Sequence, residues 1–222
     1  MKKIVFIVSF FLLASLAVAA ETPPDQLTRE TSDKITVLLK ANRDVYARDH
    51  QKLYAMVDEH VLRHFDFRTM SKSVLARYWR EATEDQRTKF AHEFRELLVR
   101  TYATALLKYT DQKILFLPFL SKPDDKTVTV RTEIKQAGGG PNIPIHYSFF
   151  KSEAGWKVYD ITIDGISLVT NYRSTYAERI QREGLDALIA SIARDNKGAA
   201  VDKGGRAQEP AALTMKVQLS GQ

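Results

Sequence analysis

The segment TVTVRTEIKQAGGGPNIPIHYSFF (residues 127–150) carries the β-strand pattern from which the fold class of this chain follows. Apolar and polar side chains alternate over residues 127–135 and again from Ile143, and this period of two is typical of β-strands. The glycines between the two runs, followed by Pro141 and Asn142, predict a hairpin connection. Because a short connection can join only antiparallel neighbours, the segment predicts an antiparallel pair of strands.

One short strand precedes this hairpin and one longer strand follows it. Residues 114–117 form an apolar run that ends at Pro118, and residues 156–163 follow a turn at Glu153-Ala154-Gly155. The connections are shorter than a parallel crossover requires, so each strand pairs antiparallel with the next. The sequence therefore predicts a four-stranded twisted antiparallel sheet.

Helical periodicity occupies the chain before the sheet. Apolar residues recur at three- and four-residue spacing over residues 25–62, and this pattern predicts two helices that meet between Asn42 and Gln51. A shorter helix is expected from about Arg68 to Arg80.

The clearest helix of the chain comes next. Thr83 and Gln86 form a capping box, in which each side chain accepts a hydrogen bond from the other residue's backbone N–H. This box predicts the start of a long helix whose apolar stripe runs from Phe90 to Tyr109.

Helices also follow the sheet. Gly165 interrupts the last strand, a helix is expected from about Ser167, and Gly184 is placed to end it before a short helix over residues 185–192. Helices before and after a meander of strands indicate an α+β fold, with the helices packed on one face of the sheet.

The two ends of the chain differ in composition from the rest. Met1-Lys2-Lys3, an apolar run over residues 4–16 and small residues up to Ala20 predict a signal peptide over residues 1–20. The run is shorter than the ~20 residues of a membrane-spanning helix, so we expect a soluble periplasmic protein. Residues 198–222 contain four glycines and no aromatic residue, which predicts a disordered tail after one domain over residues 21–197.

Composition excludes several function classes. The 222 residues include no cysteine, which excludes disulfides, thiolate metal sites, cysteine nucleophiles and lipid attachment at a cysteine. The formal net charge of +6 falls to +4 when Lys2 and Lys3 leave with the signal peptide. This excess is too small to indicate a nucleic-acid partner.

Candidate catalytic and metal-binding residues are few. His60 and His64 have helical i, i+4 spacing, but Glu59 precedes the first histidine, so the HExxH zinc motif is absent and no metal site is expected. Asp160 and Asp164, at the end of the last strand, could serve as the general base of an enzyme with a cone-shaped pocket.

The remaining sequence is rich in apolar and aromatic residues that are not accompanied by candidate catalytic or metal-binding residues. The stripe from Phe90 to Tyr109 and the strand face from Ile143 to Phe149 are simply explained as a filled hydrophobic core. Periodicity alone favours this interpretation, because a sequence pattern does not distinguish a filled core from a hollow one.

Two segments closely resemble one protein family. The first contains DFRTM (66–70), VLARYWR (74–80) and the start of the long helix; the second contains GWKVYD (155–160), GISLV (165–169) and NYR (171–173). Together they resemble the MlaC family, also called the toluene-tolerance family, of periplasmic phospholipid-binding proteins. The likeness extends from about residue 30 to 195, and Ala76 departs from it because the family often has glycine there.

The resemblance implies a fold and a function. The expected fold is a nuclear-transport-factor-like cone with an apolar cavity between sheet and helices. The expected function is that of a monomeric, non-enzymatic carrier without a cofactor, which shuttles phospholipid between an outer-membrane lipoprotein complex and an inner-membrane ABC transporter complex. The alternatives are the Asp160 or Asp164 enzyme and a lipid-free periplasmic adaptor.

A set of lipid-contacting residues follows from combining the apolar faces with the resemblance. We expect Tyr172 and Arg173 to contact a headgroup or a docking partner, and Ile166 to lie at the cavity mouth. The residues expected to line the cavity are Phe90, Phe94, Leu97, Leu98, Tyr102, Ile145, Tyr147, Phe149, Ile161, Ile163, Ile166 and Val169.

Overall fold

The computed structural model describes residues 21–107, 112–122, 124–136 and 139–201. The predicted signal peptide and the larger part of the predicted tail lie outside these ranges. The described chain has the α+β organisation that the sequence predicts. The helices are α1 (Pro24–Arg48), α2 (His50–His60), α3 (Phe67–Leu75), α4 (Arg77–Glu81), α5 (Glu84–Leu106), α6 (Leu168–Glu183) and α7 (Leu185–Val201), with a 3₁₀ turn at Leu62–His64.

The first two helices meet where the sequence predicts. Asn42 has non-helical backbone angles (φ −127°, ψ 21°) that kink α1. Asp49 then separates α1 from α2, and its side chain accepts a hydrogen bond from the Gln51 N–H at 3.0 Å. This cap satisfies a backbone donor that has no partner within the first turn of the helix.

The prediction of a single short helix over residues 68–80 is wrong, because the chain forms two helices there. Ala76 adopts φ 49° and ψ −112°, which ends α3 and starts α4 at a sharp corner. The corner directs Trp79 into the core, where its side chain is 7% exposed.

The start of α5 confirms the predicted capping box. The Thr83 N–H donates to Gln86 Oε1 at 3.0 Å, and the Gln86 N–H donates to Thr83 Oγ1 at 3.2 Å. At the other end of the fold, α7 continues to Val201, beyond the predicted tail boundary at Lys197.

The sheet has five strands among the described residues, not the predicted four. Asp164 and Gly165 have positive φ values of 50° and 82° and form a tight turn. Ile166 therefore pairs with Ile163 in a two-residue strand, where the sequence analysis places only a helix start. The strands are β1 (Lys113–Phe116), β2 (Thr127–Lys135), β3 (Ile143–Ser152), β4 (Gly155–Ile163) and β5 (Ile166–Ser167), each antiparallel to the next.

Strand register gathers apolar residues on one face of this sheet. Ile134 lies opposite Ile143, and Ile145 lies opposite Ile163. Because directly opposite residues project to the same side, the four isoleucines form a continuous patch. A bulge between Ser148 and Phe149 shifts the pairing with β4 further along.

The buried side chains form three clusters. We call the first the helical core; it joins α3, α4, α5, α6 and α7 around Phe90 and Phe94. The second joins α1, α2 and α5 around Leu53, and the third lies on the sheet around Phe149. Within the described residues, none of the helices combines the length and the apolar character needed to cross a membrane.

Candidate functional site

A cavity of about 340 Å³ separates the sheet from helices α1, α2 and α5. The sheet contributes one wall through the isoleucine patch, including Ile134, Ile143, Ile145 and Ile163. Each of these four side chains is partly exposed although it belongs to the interior face of the sheet. A filled core would bury them fully, so the fold is hollow at this point.

Helix α1 forms the opposite wall. Leu27, Ile35 and Leu39 face the cavity beside the hydroxyl residues Thr28 and Thr36. The Thr28 hydroxyl donates to the Pro24 carbonyl at 2.7 Å, and the Thr36 hydroxyl donates to the Ser32 carbonyl at 2.8 Å. These two hydroxyl protons are therefore used within the helix. The hydroxyl residues Thr31 and Ser32 also border the cavity on this wall.

The C-terminal half of α5 completes the enclosure. Leu98 and Tyr102 face the cavity, together with Ala103 and Ala105. The small alanine side chains leave space between α5 and the sheet. The turn Leu62–His64 and the residues after it close another side through Leu62, His64, Phe65 and Phe67.

The cavity carries little charge. The described residues that line it include no aspartate, glutamate, lysine or arginine, and their titratable side chains are His64, Tyr102 and Tyr147. Burial raises the pKa of Tyr147, and a hydrogen bond with Thr132 opposes part of that rise. Burial also lowers the pKa of His64, and the nearby positive charges of Arg63 and Lys157 lower it further. At neutral pH these pKa shifts keep both groups uncharged, which suits an apolar ligand.

Seven of the predicted lining residues do line the cavity, and they come from α5, β3 and β4. Their side chains surround one space although they are distant in sequence. They are Leu98, Tyr102, Ile145, Tyr147, Phe149, Ile161 and Ile163.

Five of the residues predicted to line the cavity are not among the residues that line it in the structure. Phe90 and Phe94 are fully buried in the helical core, where their rings stack 5.7 Å apart. Leu97 packs against that core and Val169 belongs to it. Ile166 pairs with Ile163 at the edge of the sheet, but only Ile163 lines the cavity.

The two predicted headgroup or docking residues also lie outside the cavity lining. The Tyr172 ring is 5% exposed and meets the Phe94 ring edge-on at 5.2 Å, so it is part of the helical core. The Arg173 Nε–H donates to the Ser73 carbonyl at 2.7 Å and ties α6 to α3. This contact gives Arg173 a structural role.

The contributions of α1, α2 and the segment between α2 and α3 to the cavity were not predicted from the sequence. Their apolar periodicity is visible in the sequence, but it does not identify which partner surface they face. The apolar lining residues from this part of the chain are Leu27, Ile35, Leu39, Val57, Val61, Leu62, Phe65 and Phe67.

The two candidate catalytic aspartates are not among the lining residues. Asp160 accepts hydrogen bonds from the Ser167 hydroxyl at 2.5 Å and from the Val169 N–H at 3.1 Å. These bonds fix the start of α6 against β4. Asp164 belongs to the turn between β4 and β5. Across the described ranges, no three His, Asp or Glu side chains group together as metal ligands would.

Comparisons with known proteins agree on one family. A family model described as MlaC protein matches residues 29–194. The chain is 29% identical over 189 residues to the intermembrane phospholipid transport system binding protein MlaC of Haemophilus influenzae, which covers 84% of this chain and 88% of that protein. It is 31% identical over 173 residues to the toluene tolerance protein ttg2D of Pseudomonas putida, covering 77% of this chain and 79% of that protein.

A solved structure shares the fold. The phospholipid-binding protein from Ralstonia solanacearum, in complex with a phospholipid, superposes with a TM-score of 0.74 at 29% sequence identity. The superposition covers 81% of this chain and 99% of that chain.

Proposed function

Because the chain belongs to the MlaC family, we propose that it is a phospholipid carrier that holds acyl chains in the cavity between α1, α5 and the sheet. The observation that carries the proposal is the predominantly apolar lining of this cavity, in which the described residues include no carboxylate, lysine or arginine. The similar protein from Ralstonia solanacearum has been solved with a phospholipid bound.

The energetics of acyl chains support such a role. Each buried methylene contributes ~0.8 kcal/mol, so ten methylenes moved from water into the cavity contribute about 8 kcal/mol. An acyl chain released into water loses this stabilisation. A carrier that shields the acyl chain can move the lipid through an aqueous space. The charged headgroup is best left at the cavity rim, where water continues to solvate it.

We further propose that the carrier works in the periplasm and exchanges lipid with an inner-membrane ABC transporter complex and an outer-membrane lipoprotein complex. This placement rests on the signal-peptide pattern of residues 1–20 and on the family. We also propose that the fold is related to the cone-shaped nuclear-transport-factor-like domains. Hydrogen bonding of Asp160 to Ser167 and Val169 supports a structural role for that carboxylate over a catalytic one.

Native purification tests the carrier function directly. Mass spectrometry of an organic extract should find diacyl phospholipid near a stoichiometric amount in the wild type. Ile145→Asp places a carboxylate in the cavity wall, and we expect folded protein with little lipid. Thr129→Asp, on the exposed side of the neighbouring strand, is the matched control and should load normally. Wild-type protein without lipid, or equal loading of both variants, would contradict the proposal.

A further inference from the structure

Three basic residues lie together beside the cavity. The backbone of Phe65 forms a parallel bridge with Val158, and the Asp66 N–H donates to the Val158 carbonyl at 3.0 Å. These contacts hold the Leu62–His64 turn against β4. The Lys157 ammonium donates to the Arg63 carbonyl at 2.8 Å, so Arg63, His64 and Lys157 form one group that we call the basic rim.

The basic rim lies where the cavity wall meets solvent. His64 lines the cavity and is partly exposed, whereas Arg63 is exposed. Arg63 and His64 are neighbours in the sequence, and the Lys157 ammonium reaches the Arg63 carbonyl, so the three residues lie close together. Within the described part of the chain, neither Arg63 nor Lys157 forms an ion pair with a carboxylate.

The donors of the basic rim suit a phosphate. The Lys157 ammonium has three N–H donors, of which one is used on the Arg63 carbonyl. The Arg63 guanidinium can donate two parallel hydrogen bonds to a pair of phosphate oxygens. His64 in its neutral form adds one ring N–H that borders the cavity itself. An anion at this position would offset two positive charges that no carboxylate pairs with in the described part of the chain.

We propose that Arg63, His64 and Lys157 bind the phosphate diester of the phospholipid whose acyl chains fill the cavity. The inference rests on the proposed carrier function and adds a recognition site for the headgroup. Unlike Arg173, which is not among the residues that line the cavity, His64 of the basic rim borders it directly. The site recognises the phosphate that phospholipids share and leaves the alcohol beyond it in solvent.

A lipid-competition experiment tests the basic rim. The purified chain is incubated with vesicles that contain phosphatidylglycerol and diacylglycerol with identical acyl chains, and bound lipid is measured by native mass spectrometry. For the variant Arg63→Gln/Lys157→Met, we expect the ratio of bound phosphatidylglycerol to diacylglycerol to fall about tenfold, while total lipid occupancy stays close to that of the wild type. Lys157→Arg, which keeps the charge, should retain most of the ratio.

The control variant is Arg77→Gln/Lys72→Met. These exposed cations of α3 and α4 lie outside the cavity lining, and their removal should leave the ratio unchanged. An unchanged ratio in Arg63→Gln/Lys157→Met would overturn the proposal. Equal loss of both lipids from that variant would also overturn it, because the rim would then support the cavity wall and not the phosphate.

Two further outcomes are informative. One distinguishes free phosphate from the phosphate of a lipid, and the other distinguishes failure of the headgroup site from failure of the carrier function. If inorganic phosphate at millimolar concentration shifts the NMR signals of His64 and phosphatidylglycerol does not, the rim takes free phosphate and the headgroup assignment is wrong. If the wild type takes up neither lipid, the carrier function fails and the headgroup site fails with it. Selective loss of phosphatidylglycerol from the rim variant supports both.

Discussion

Ala76 stands in a backbone conformation that suits glycine. Its φ of 49° with ψ of −112° brings the side-chain methyl group against the local backbone, and residues in such regions cost of order 1–3 kcal/mol. The corner is nevertheless required, because the Ala76 N–H donates to the Lys72 carbonyl at 3.0 Å and the Trp79 N–H donates to the Ala76 carbonyl at 3.3 Å. The strain is therefore retained in the folded protein.

Replacing this alanine should stabilise the protein. Ala76→Gly relieves the strain at the cost of greater freedom in the unfolded chain, so we expect a net gain of about 1 kcal/mol in the free energy of unfolding. Urea denaturation measures it. The matched control is Ala91→Gly inside α5, which should cost roughly 0.5–1 kcal/mol. Destabilisation by both substitutions would show that Ala76 is unstrained.

His64 should make the stability depend on pH. Burial, Arg63 and Lys157 lower its pKa in the folded protein, whereas in the unfolded chain the pKa returns to about 6.5. The unfolded state therefore binds more protons as the pH falls, and the free energy of unfolding decreases below pH ~6.5. His64→Gln should remove this component, as shown by urea denaturation at several pH values between about 7.5 and 5. An equally steep decrease in His64→Gln would contradict this assignment.

Individual residues were harder to predict than the pattern around them. The Asp164-Gly165 turn has the strongest short-range hairpin signature, an Asp-Gly pair between apolar residues, yet the sequence analysis treated Gly165 only as an interruption. The strain at Ala76 has no signal in a single sequence; only the resemblance to a family with glycine there indicates an unusual backbone.

At the scale of elements, α5 serves two different interiors. Its N-terminal half buries Phe90 and Phe94 in the helical core, and its C-terminal half presents Leu98 and Tyr102 to the cavity. The apolar stripe is continuous along the helix, so its periodicity is the same over both halves. What differs is the partner: α6 and α7 fill the space beside the first half, whereas the sheet stays apart from the second.

This division predicts separable effects of mutations in α5. Phe94→Ala opens a void in the helical core and should lower the free energy of unfolding by about 3–5 kcal/mol. The milder Phe94→Leu should cost less and leave enough folded protein to measure lipid loading, which we expect to be normal. Urea denaturation and mass spectrometry of extracted lipid report the two effects. Loss of lipid from folded Phe94→Leu protein would place this residue in the binding site after all.

Elements were predicted well where local chemistry determines them. The Thr83–Gln86 capping box and the hairpin of β2 and β3 are confirmed because both depend on neighbouring residues. The walls of the cavity depend on how distant elements are spaced. Apolar residues of α1 such as Ile35 and Leu39 are therefore visible as a helical face, but their role as the wall opposite the sheet is not.

At the scale of the whole molecule, the cavity borders all three clusters of buried side chains, and Leu98 and Leu168 of the helical core line it. Val57, Val99 and Ala103 of the second cluster and Phe149 and Val158 of the third cluster line it. The α+β class and the family resemblance could be obtained from sequence. The void could not be predicted from the sequence, because it is the space between clusters and no local sequence pattern determines how far apart they lie.

A hollow interior should make the stability of the whole molecule depend on its lipid. A ligand that binds only the folded state adds RT ln(1 + [L]/Kd) to the free energy of unfolding, about 2.7 kcal/mol at a hundredfold excess over Kd. We therefore expect delipidated wild-type protein to unfold at a lower temperature than the natively purified protein, and added phosphatidylglycerol to restore it. Scanning calorimetry of Thr129→Asp should show the same recovery. In Ile145→Asp the cavity carboxylate must be desolvated to admit an acyl chain, so lipid should leave its transition unchanged; a full recovery in that variant would mean that the stabilising lipid binds elsewhere on the surface.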